Sequence, residues 1–328
     1  MKLFVVSTPS QAFFLSKTVG IVNQKSILLV TKNLKGIDEK IISQLQIFPW
    51  AKIFVWDIEG IKSTRAYYKI FIFRLKISLL KKRYSGIDEL FIGSYDNFFH
   101  LGIVAAFEDK SKLYLLYDGL QMISVAEKRA KSRTKSLRRN SKIFNLAGFK
   151  QPAIKFLTYT SPLEFKVPVF DEIIKIESSP NKLIELKDEL MYFAGQPLVD
   201  MGLVSLELYL KKLAELKLKF PKYEITYFPH PKESEEVKQK VANIFKIRYF
   251  QKIFEEEYME SKFFAKNIAS FYSSVLINLS YLGSGDLNIY AINLSESEIL
   301  LPKQRSSILN IYKYFQANKT SNLNILRI

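Results

Sequence analysis

The residues with the clearest chemical potential lie in the stretch Glu224-Ile-Thr-Tyr-Phe-Pro-His-Pro-Lys-Glu233. Alternating β-formers run into Pro229-His230-Pro231, and Lys232 to Glu236 read as the start of a charged helix. Proline on each side keeps His230 out of helical backbone and stiffens the chain around it. The imidazole is thereby held where a strand ends and a helix begins. Open α/β sheets place ligands there, and the helix N-terminus offers free N–H groups to an anion. A buried turn histidine with one satisfied hydrogen bond fits the same residues. Ser273 and Ser274 offer two hydroxyls, which equally suit a helix N-cap. The chain has only two histidines and no cysteine, which argues against a thiolate nucleophile, a disulfide framework and a zinc site. No Walker loop, no Gly-x-Gly-x-x-Gly and no strict Asp-x-Asp pair occurs, Asp57-Ile-Glu59 being the nearest, so ATP chemistry and dinucleotide redox are not expected.

Holding such a histidine takes alternating strands and helices, and the chain supplies them. Leu3 to Val6, Ser26 to Thr31, Ile53 to Trp56, Glu89 to Ile92 and Leu113 to Tyr117 read as strands, with helices over 11–22, 62–84 and from Asn97 to Phe107. This is the pattern of a doubly wound sheet. Ala153 to Tyr159 and Asp171 to Ile176 add strand-like segments, and Ser178-Ser179-Pro180-Asn181 breaks the chain. At 328 residues the chain suits two domains, and that break divides it into 1–178 and 179–328. The second half restarts with helix 181–188, strand Leu190 to Ala194, helix 205–219, the strand into His230 and helix 232–243. A strand near Ile247 to Phe250, an acidic turn at Glu255-Glu256-Glu257, helix 260–269, strands around Ile277 and over Ile289 to Ile292, and helix 303–317 complete it.

The net charge of +17 calls for an anionic partner. Residues 126–142 set eight Lys or Arg against the single Glu127, and 62–84 carries Arg65, Lys69, Arg74, Lys76, Lys81, Lys82 and Arg83 among aromatic and aliphatic residues. A solvated loop, or an anchor worth about 1 kcal/mol per residue at an anionic bilayer, both account for the first run. Nucleic acid fits less well, because the run lacks interleaved aromatics and no nucleic-acid-binding signature occurs. The start, Met1 to Pro9, is too short in apolar residues for a signal peptide, and no stretch approaches the roughly 18 apolar residues of a membrane span.

Ser7-Thr8-Pro9-Ser10-Gln11, Gly93-Ser94-Tyr95-Asp96-Asn97, Tyr117-Asp118-Gly119, Ala194-Gly195-Gln196-Pro197-Leu198, Tyr227-Phe228-Pro229-His230-Pro231-Lys232-Glu233 and Ser273-Ser274 follow one another in an order that resembles bacterial sialyltransferases. The likeness spans about residues 1–280 and is nearest to glycosyltransferase family 52, the lipooligosaccharide and capsule sialyltransferases. It implies an α/β fold of GT-B type, two Rossmann-like domains facing a central cleft, with an acceptor-side domain at 1–178 and a CMP-sugar-binding domain at 179–328. It implies an inverting transfer of sialic acid from CMP-sialic acid to a sugar hydroxyl, galactose being expected, with no metal and no cofactor. His230 would stabilise or protonate the departing phosphate, with Gly195, Gln196, Pro231, Ser273 and Ser274 around the donor and Glu257 at the ribose. Gln11, Asp96 and Asn97 would face the acceptor.

One position departs from the family. Tyr117 stands where related enzymes carry an acidic residue, and a phenol with a pKa near 10 is a poor base. Either Asp118 is the base or it comes from the other domain, where Asp200 is the choice and Glu207 second; Asp118 serves equally as a pin for its loop. The expected partners are CMP-sialic acid, a glycan or glycolipid acceptor and an anionic membrane surface met through 126–142, with no nucleic acid and a homodimer left open. The expected location is cytoplasmic, peripheral on the inner face of a bacterial membrane. A different GT-B transferase, a polysialyltransferase, or a non-catalytic basic protein binding lipid or nucleic acid are the alternatives.

Overall fold

Strands of a parallel sheet covered on both faces must be apolar throughout, and Leu3–Val6 and Ile27–Val30 are wholly buried. The computed structural model describes residues 1–18, 20–32, 36–58, 66–107, 111–132, 148, 152–176, 184–283, 285–317 and 322–328. The break at 178–181 and residues 133–142 of the basic run lie outside the described residues. The chain divides into two compact units, Met1–Ser178 and Ser179–Ile328.

The first unit holds β1 (Lys2–Val6), α1 (Pro9–Ser16), β2 (Ser26–Lys32), α2 (Ile37–Leu45), β3 (Lys52–Asp57), α3 (Ala66–Arg83), β4 (Glu89–Ile92), α4 (Phe98–Phe107), β5 (Lys112–Leu115), α5 (Gln121–Lys131), β6 (Thr158–Ser161) and β7 (Glu172–Lys175). Its seven strands lie in the order β3-β2-β1-β4-β5-β6-β7, paired in parallel. Phe4 stacks on Phe91 at 4.3 Å, and Phe91 on Tyr114 at 4.3 Å, so aromatic faces tie the three central strands together.

The second unit holds β8 (Glu185–Ala194), α6 (Leu206–Lys219), β9 (Glu224–Phe228), α7 (Glu235–Ala242), β10 (Lys246–Ile247), α8 (Phe254–Glu260), β11 (Phe263–Ser270), α9 (Ser274–Leu282), β12 (Asn288–Ile292), α10 (Pro302–Ala317) and β13 (Leu323–Leu326). Its order, β10-β9-β8-β11-β12-β13, repeats the first unit's winding. In each sheet the order reverses beside the first strand, between β1 and β4 and between β8 and β11. Connections leave in opposite directions there and open a crevice at the strand ends.

Several expected elements are corrected. Residues read as helix 260–269 form β11, a central strand. Ala265, Lys266 and the four-residue spacing of Phe264 and Ile268 suit a helix, but burial of Ala265, Ile268 and Ala269 between two helical layers decides for strand. Helix 181–188 is replaced over its described part by the start of β8, and Ile277 belongs to α9. The acidic residues Glu255 to Glu257 start α8 rather than form a turn, as suits negative charge at a helix N-terminus. Helix α2, helix α5 (whose last residues open the basic run read as a loop) and the last strand β13 went unread.

Arg129, counted in the basic run, is an interior residue. It is buried at the end of α5 and forks onto Asp171, with Nε to Oδ2 at 2.6 Å and Nη2 to Oδ1 at 2.7 Å. Its Nη1 donates to Tyr95 and to the Ile154 carbonyl, and Leu157 N–H donates to Asp171. The pair thus pins α5 to the entry of the last two strands. Cutting one partner leaves a buried charge alone, so Asp171→Ala should cost about 3–5 kcal/mol, while Arg129→Met with Asp171→Leu should recover much of it. Urea unfolding followed by tryptophan fluorescence reads this cleanly, since Trp50 and Trp56 both lie in the first unit. A loss below about 1 kcal/mol for Asp171→Ala would put the pair among weak surface bridges.

Candidate active site

In the second unit, β8 ends at Ala194 and Gly195 N–H closes onto the Phe228 carbonyl at the end of β9, 2.9 Å away. A Cβ on Gly195 would lie 2.5 Å from Glu233 Oε1 and 2.6 Å from the Tyr227 hydroxyl. Glycine is therefore required for close approach, and what approaches is a buried carboxyl. Tyr227 OH donates to Glu233 Oε2 at 2.8 Å, Tyr209 OH lies 2.7 Å from Tyr227 OH, and a backbone hydrogen bond from Gln196 reaches Tyr209. The relay returns from Glu233 to the loop that follows Gly195.

Pro229-His230-Pro231-Lys232-Glu233 forms a turn closed in both directions. Glu233 N–H donates to the His230 carbonyl at 2.9 Å, and His230 N–H donates to Glu233 Oε1 at 3.1 Å. Lys232 N–H donates to His230 Nδ1 at 3.1 Å, which puts the neutral ring's proton on Nε2. Burial, with the charge of Lys232, pushes the His230 pKa down to about 4. The resting imidazole is thus neutral. Its half-buried Nε2–H has no protein partner among the described residues.

Gln196 reaches the other side of the crevice, where Oε1 accepts from Tyr272 N–H at 3.1 Å and from Ser270 Oγ at 3.3 Å. Next to Tyr272, Ser273 caps α9 by accepting Val275 N–H at 3.2 Å. The cap uses the hydroxyl oxygen and leaves the O–H free to donate; the Ser274 hydroxyl is half-buried beside it. Hydrogen bonds therefore link Gly195, Gln196, His230 and the start of α9 along one end of the second sheet. Asp200 joins at the rim, exposed, with Oδ2 accepting Ser234 N–H at 3.2 Å. Pro231 is exposed on the same turn, and Glu207 lies exposed in the first turn of α6. Glu257 is not brought into this set: its Oε1 accepts Gln251 and Lys252 N–H at 3.1 and 3.0 Å and fastens the approach to α8.

The first unit's crevice is built on the same plan. Gln11 Oε1 accepts Ser7 N–H at 2.8 Å and its Nε2 donates to the Gly93 carbonyl at 2.8 Å. The side chain is buried and tied between loops, which corrects its acceptor-facing role. Asn97 Oδ1 accepts Phe99 N–H at 2.9 Å at the start of α4, and exposed Asp96 pairs with Lys128 at 2.9 Å. Tyr117 is buried against Phe14, so it is a core residue. Gly119, at φ 72°, turns the chain sharply after Asp118. Asp118 stands half-buried at the end of β5, bonded by Gln11 and, at 3.5 Å, by the Thr8 hydroxyl; burial lifts its pKa to about 6.

His100, the other histidine, is fully buried below this crevice. Its Nε2 lies 2.6 Å from Ser7 Oγ, its Nδ1 accepts Ser94 N–H at 3.1 Å, and burial pushes its pKa down to about 3. Both nitrogens are used, so the ring locks the loops after β1 and β4. Sequence reasoning assigned no role to His100 or Glu233. The signal for Glu233 was its place three residues after His230, the spacing that closes a turn. No group of three His, Asp or Glu side chains that could hold a metal occurs among the described residues.

Burial lifts the Glu233 pKa from 4.5 to about 7, against the bonds from Tyr227 and His230 N–H that lower it. A carboxyl raised on folding binds its proton more tightly in the native state. The resulting stability is complete below the unfolded pKa and is lost as pH rises through about 7. Glu233→Gln, which keeps shape without titrating, should remove on the order of 2–3 kcal/mol of this pH dependence. Thermal melts of parent and variant across that interval check it; parallel curves would mean that Glu233 does not titrate there.

No protein-family profile matches the chain, and no curated protein does. Solved structures do match over almost its full length. One described as a UDP-N-acetylglucosamine 2-epimerase from Listeria monocytogenes is 12% identical with a TM-score of 0.56, covering 98% of this chain and 88% of that one. The UDP-GlcNAc 2-epimerase from Neisseria meningitidis bound to UDP-GlcNAc is 12% identical with a TM-score of 0.52, covering 96% and 91%. The S. aureus MnaA–UDP structure is 11% identical with a TM-score of 0.53, covering 96% and 87%. At such identity the likeness shows the fold: a pair of parallel, helix-covered Rossmann-like sheets of GT-B type.

Proposed function

We propose that this chain is a metal-independent glycosyltransferase that moves sialic acid from CMP-sialic acid to a sugar hydroxyl of a bacterial surface glycan. The observation that carries the reading is the open Nε2–H of His230, held neutral on the turn after β9, with the capped start of α9 at the same end of the sheet. A leaving phosphate needs fixed donors where its charge develops, and this ring, the Ser273 and Ser274 hydroxyls and the helix N–H groups are such donors. An incoming phosphate also raises the proton affinity of the ring, so its anionic partner tightens the hydrogen bond as the leaving group gains charge. In the transfer, the acceptor oxygen bonds to the anomeric carbon, the bond to the CMP phosphate oxygen breaks, and the hydroxyl proton passes to a carboxylate.

Asp118 suits that last role better than Asp200. Its raised pKa makes it a base matched to neutral pH, and it sits at a strand end in the first unit's crevice. Asp200 spends one oxygen on the start of α7. Gly195 and Gln196 then act on the donor indirectly, through Glu233 and the Tyr272 backbone.

Incubation with CMP-sialic acid and a galactoside tests the reading. His230→Ala should slow CMP release by about 10²-fold and Asp118→Asn should slow transfer by about 10²-fold or more, with Asp200→Asn affected far less. Since Asp118 must be ionised to accept a proton, parent activity should fall as pH drops through about 6, and Asp118→Asn should lose that limb. EDTA should leave the rate unchanged. Because the neighbours of like fold include UDP-GlcNAc 2-epimerases, UDP-GlcNAc belongs in the assay. Inversion at its C2 with no CMP released from CMP-sialic acid would replace the transferase reading.

A further inference from the structure

Helix α3 is apolar on two opposite sides. Ile70, Phe73, Ile77 and Leu80 are buried, with Phe73 edge-on to Trp56 of β3 and to Phe99 of α4. The opposite side presents Tyr68, Phe71, Leu75 and Leu79 at 72, 60, 49 and 66% exposure. Steps of three, four and four residues make one continuous stripe, about 16 Å long at 1.5 Å per residue. A helix lying on a soluble core normally turns charge outward at these positions. Here the outward charge flanks the stripe and has one sign: Lys69, Arg74, Lys76, Lys81, Lys82 and Arg83, with no Asp or Glu from Ala66 to Arg83. Gly148, which follows the basic run, lies against the Arg74 guanidinium.

We infer that α3 is a membrane-docking element, laying Tyr68, Phe71, Leu75 and Leu79 into the interface of an anionic bilayer with its lysines and arginines among the phosphates. Large apolar groups in a line parallel to the helix axis suit a helix lying in the interface plane. Long basic stems keep their aliphatic part beside the acyl boundary while the charge stays hydrated. The net charge of +17 adds attraction to such a surface, which a neutral partner would not exploit. The sequence alone offered the basic residues of 62–84 and 126–142 for such a surface; the fold shows which apolar side chains of α3 face out. The inference does not depend on which sugar nucleotide the enzyme uses.

Flotation of the full chain with phosphatidylcholine vesicles, with and without phosphatidylglycerol, tests this. The parent should float with the anionic vesicles, and Phe71→Ser with Leu75→Ser and Leu79→Ser should weaken that binding about tenfold or more while leaving the melting temperature unchanged. As a gain of signal independent of any folding loss, Phe71→Trp should be quenched by brominated acyl chains beyond the parent's Trp50 and Trp56. The inference is overturned if the parent ignores anionic vesicles, if the triple variant floats as the parent does, or if the new tryptophan is not quenched. It is also overturned if the triple substitution turns a dimer into a monomer without touching vesicle binding, which would make the stripe a contact between copies. Loss of binding to an RNA oligomer, with vesicles ignored throughout, would assign the face to nucleic acid instead.

Discussion

Where a parallel sheet reverses its order, two adjacent strands send their connections to opposite faces, and the backbone groups at their ends have no ladder to join. Buried N–H and C=O groups must still be paired. Both units meet this constraint with a glutamine, whose amide offers acceptor and donor on one rigid plane. Gln11 takes Ser7 N–H and gives to the Gly93 carbonyl across β1 and β4; Gln196 takes Tyr272 N–H and the Ser270 hydroxyl across β8 and β11. Gly93 follows from Gln11. A Cβ on Gly93 would lie 2.0 Å from Gln11 Oε1, so Ser-Thr-Pro-Ser-Gln and Gly-Ser-Tyr-Asp-Asn are two halves of one lock. With its walls fixed this way, each crevice holds its remaining polar groups at set positions.

Burial without a counter-charge then sets the chemistry of both crevices. It raises Asp118 and Glu233 toward neutrality and lowers His100 and His230 well below it. The two histidines share a protonation state and differ in what their nitrogens are left to do. His100 uses both in holding loops; His230 uses Nδ1 on Lys232 and keeps Nε2–H open. A fixed cation would grip any anion, substrate and product alike. A neutral donor that gains charge only beside a phosphate favours the moment when charge develops, the differential binding that catalysis requires.

Much of this winding was legible because each unit spells it in residues with distinct period and punctuation. Leu3 to Val6 and Glu224 to Phe228 are strands ended by proline turns, and no tertiary contact is needed to read them. Phe263 to Ser270 could not be read that way, since a strand buried on both faces loses the alternation that marks strands, and its alanines and lysine favour helix. The site divides on similar lines. His230, Gly195, Gln196 and the Ser273 cap are backbone-determined, so local sequence located them. Gln11 matters through a partner far along the chain, and Glu233 through its burial; spacing revealed only that Glu233 could close the turn. Glu257 looked chemical for the opposite reason: an acidic side chain at a helix start is indistinguishable in sequence from one at a ligand.

Charge runs are the least trustworthy text in the chain, because sequence does not say which cations face water. Arg129 sits in the densest run and is spent inside, on Asp171 and Tyr95. The cations of α3 read in the sequence as charge mixed with aromatic and aliphatic residues, and the fold shows four large apolar groups facing outward between them. A division of labour follows from the two proposals taken together. On those proposals the first unit carries both Asp118, the proposed base, and α3, the proposed lipid-facing helix; the second carries His230, Ser273 and Ser274 as the proposed phosphate donors and no comparable helix among its described residues. A lipid-borne sugar would then meet the unit carrying its base, whereas a soluble nucleotide donor needs no membrane to reach the other. Unequal exposure of apolar surface in two units of like winding is what such an arrangement requires, and the fold alone does not produce it.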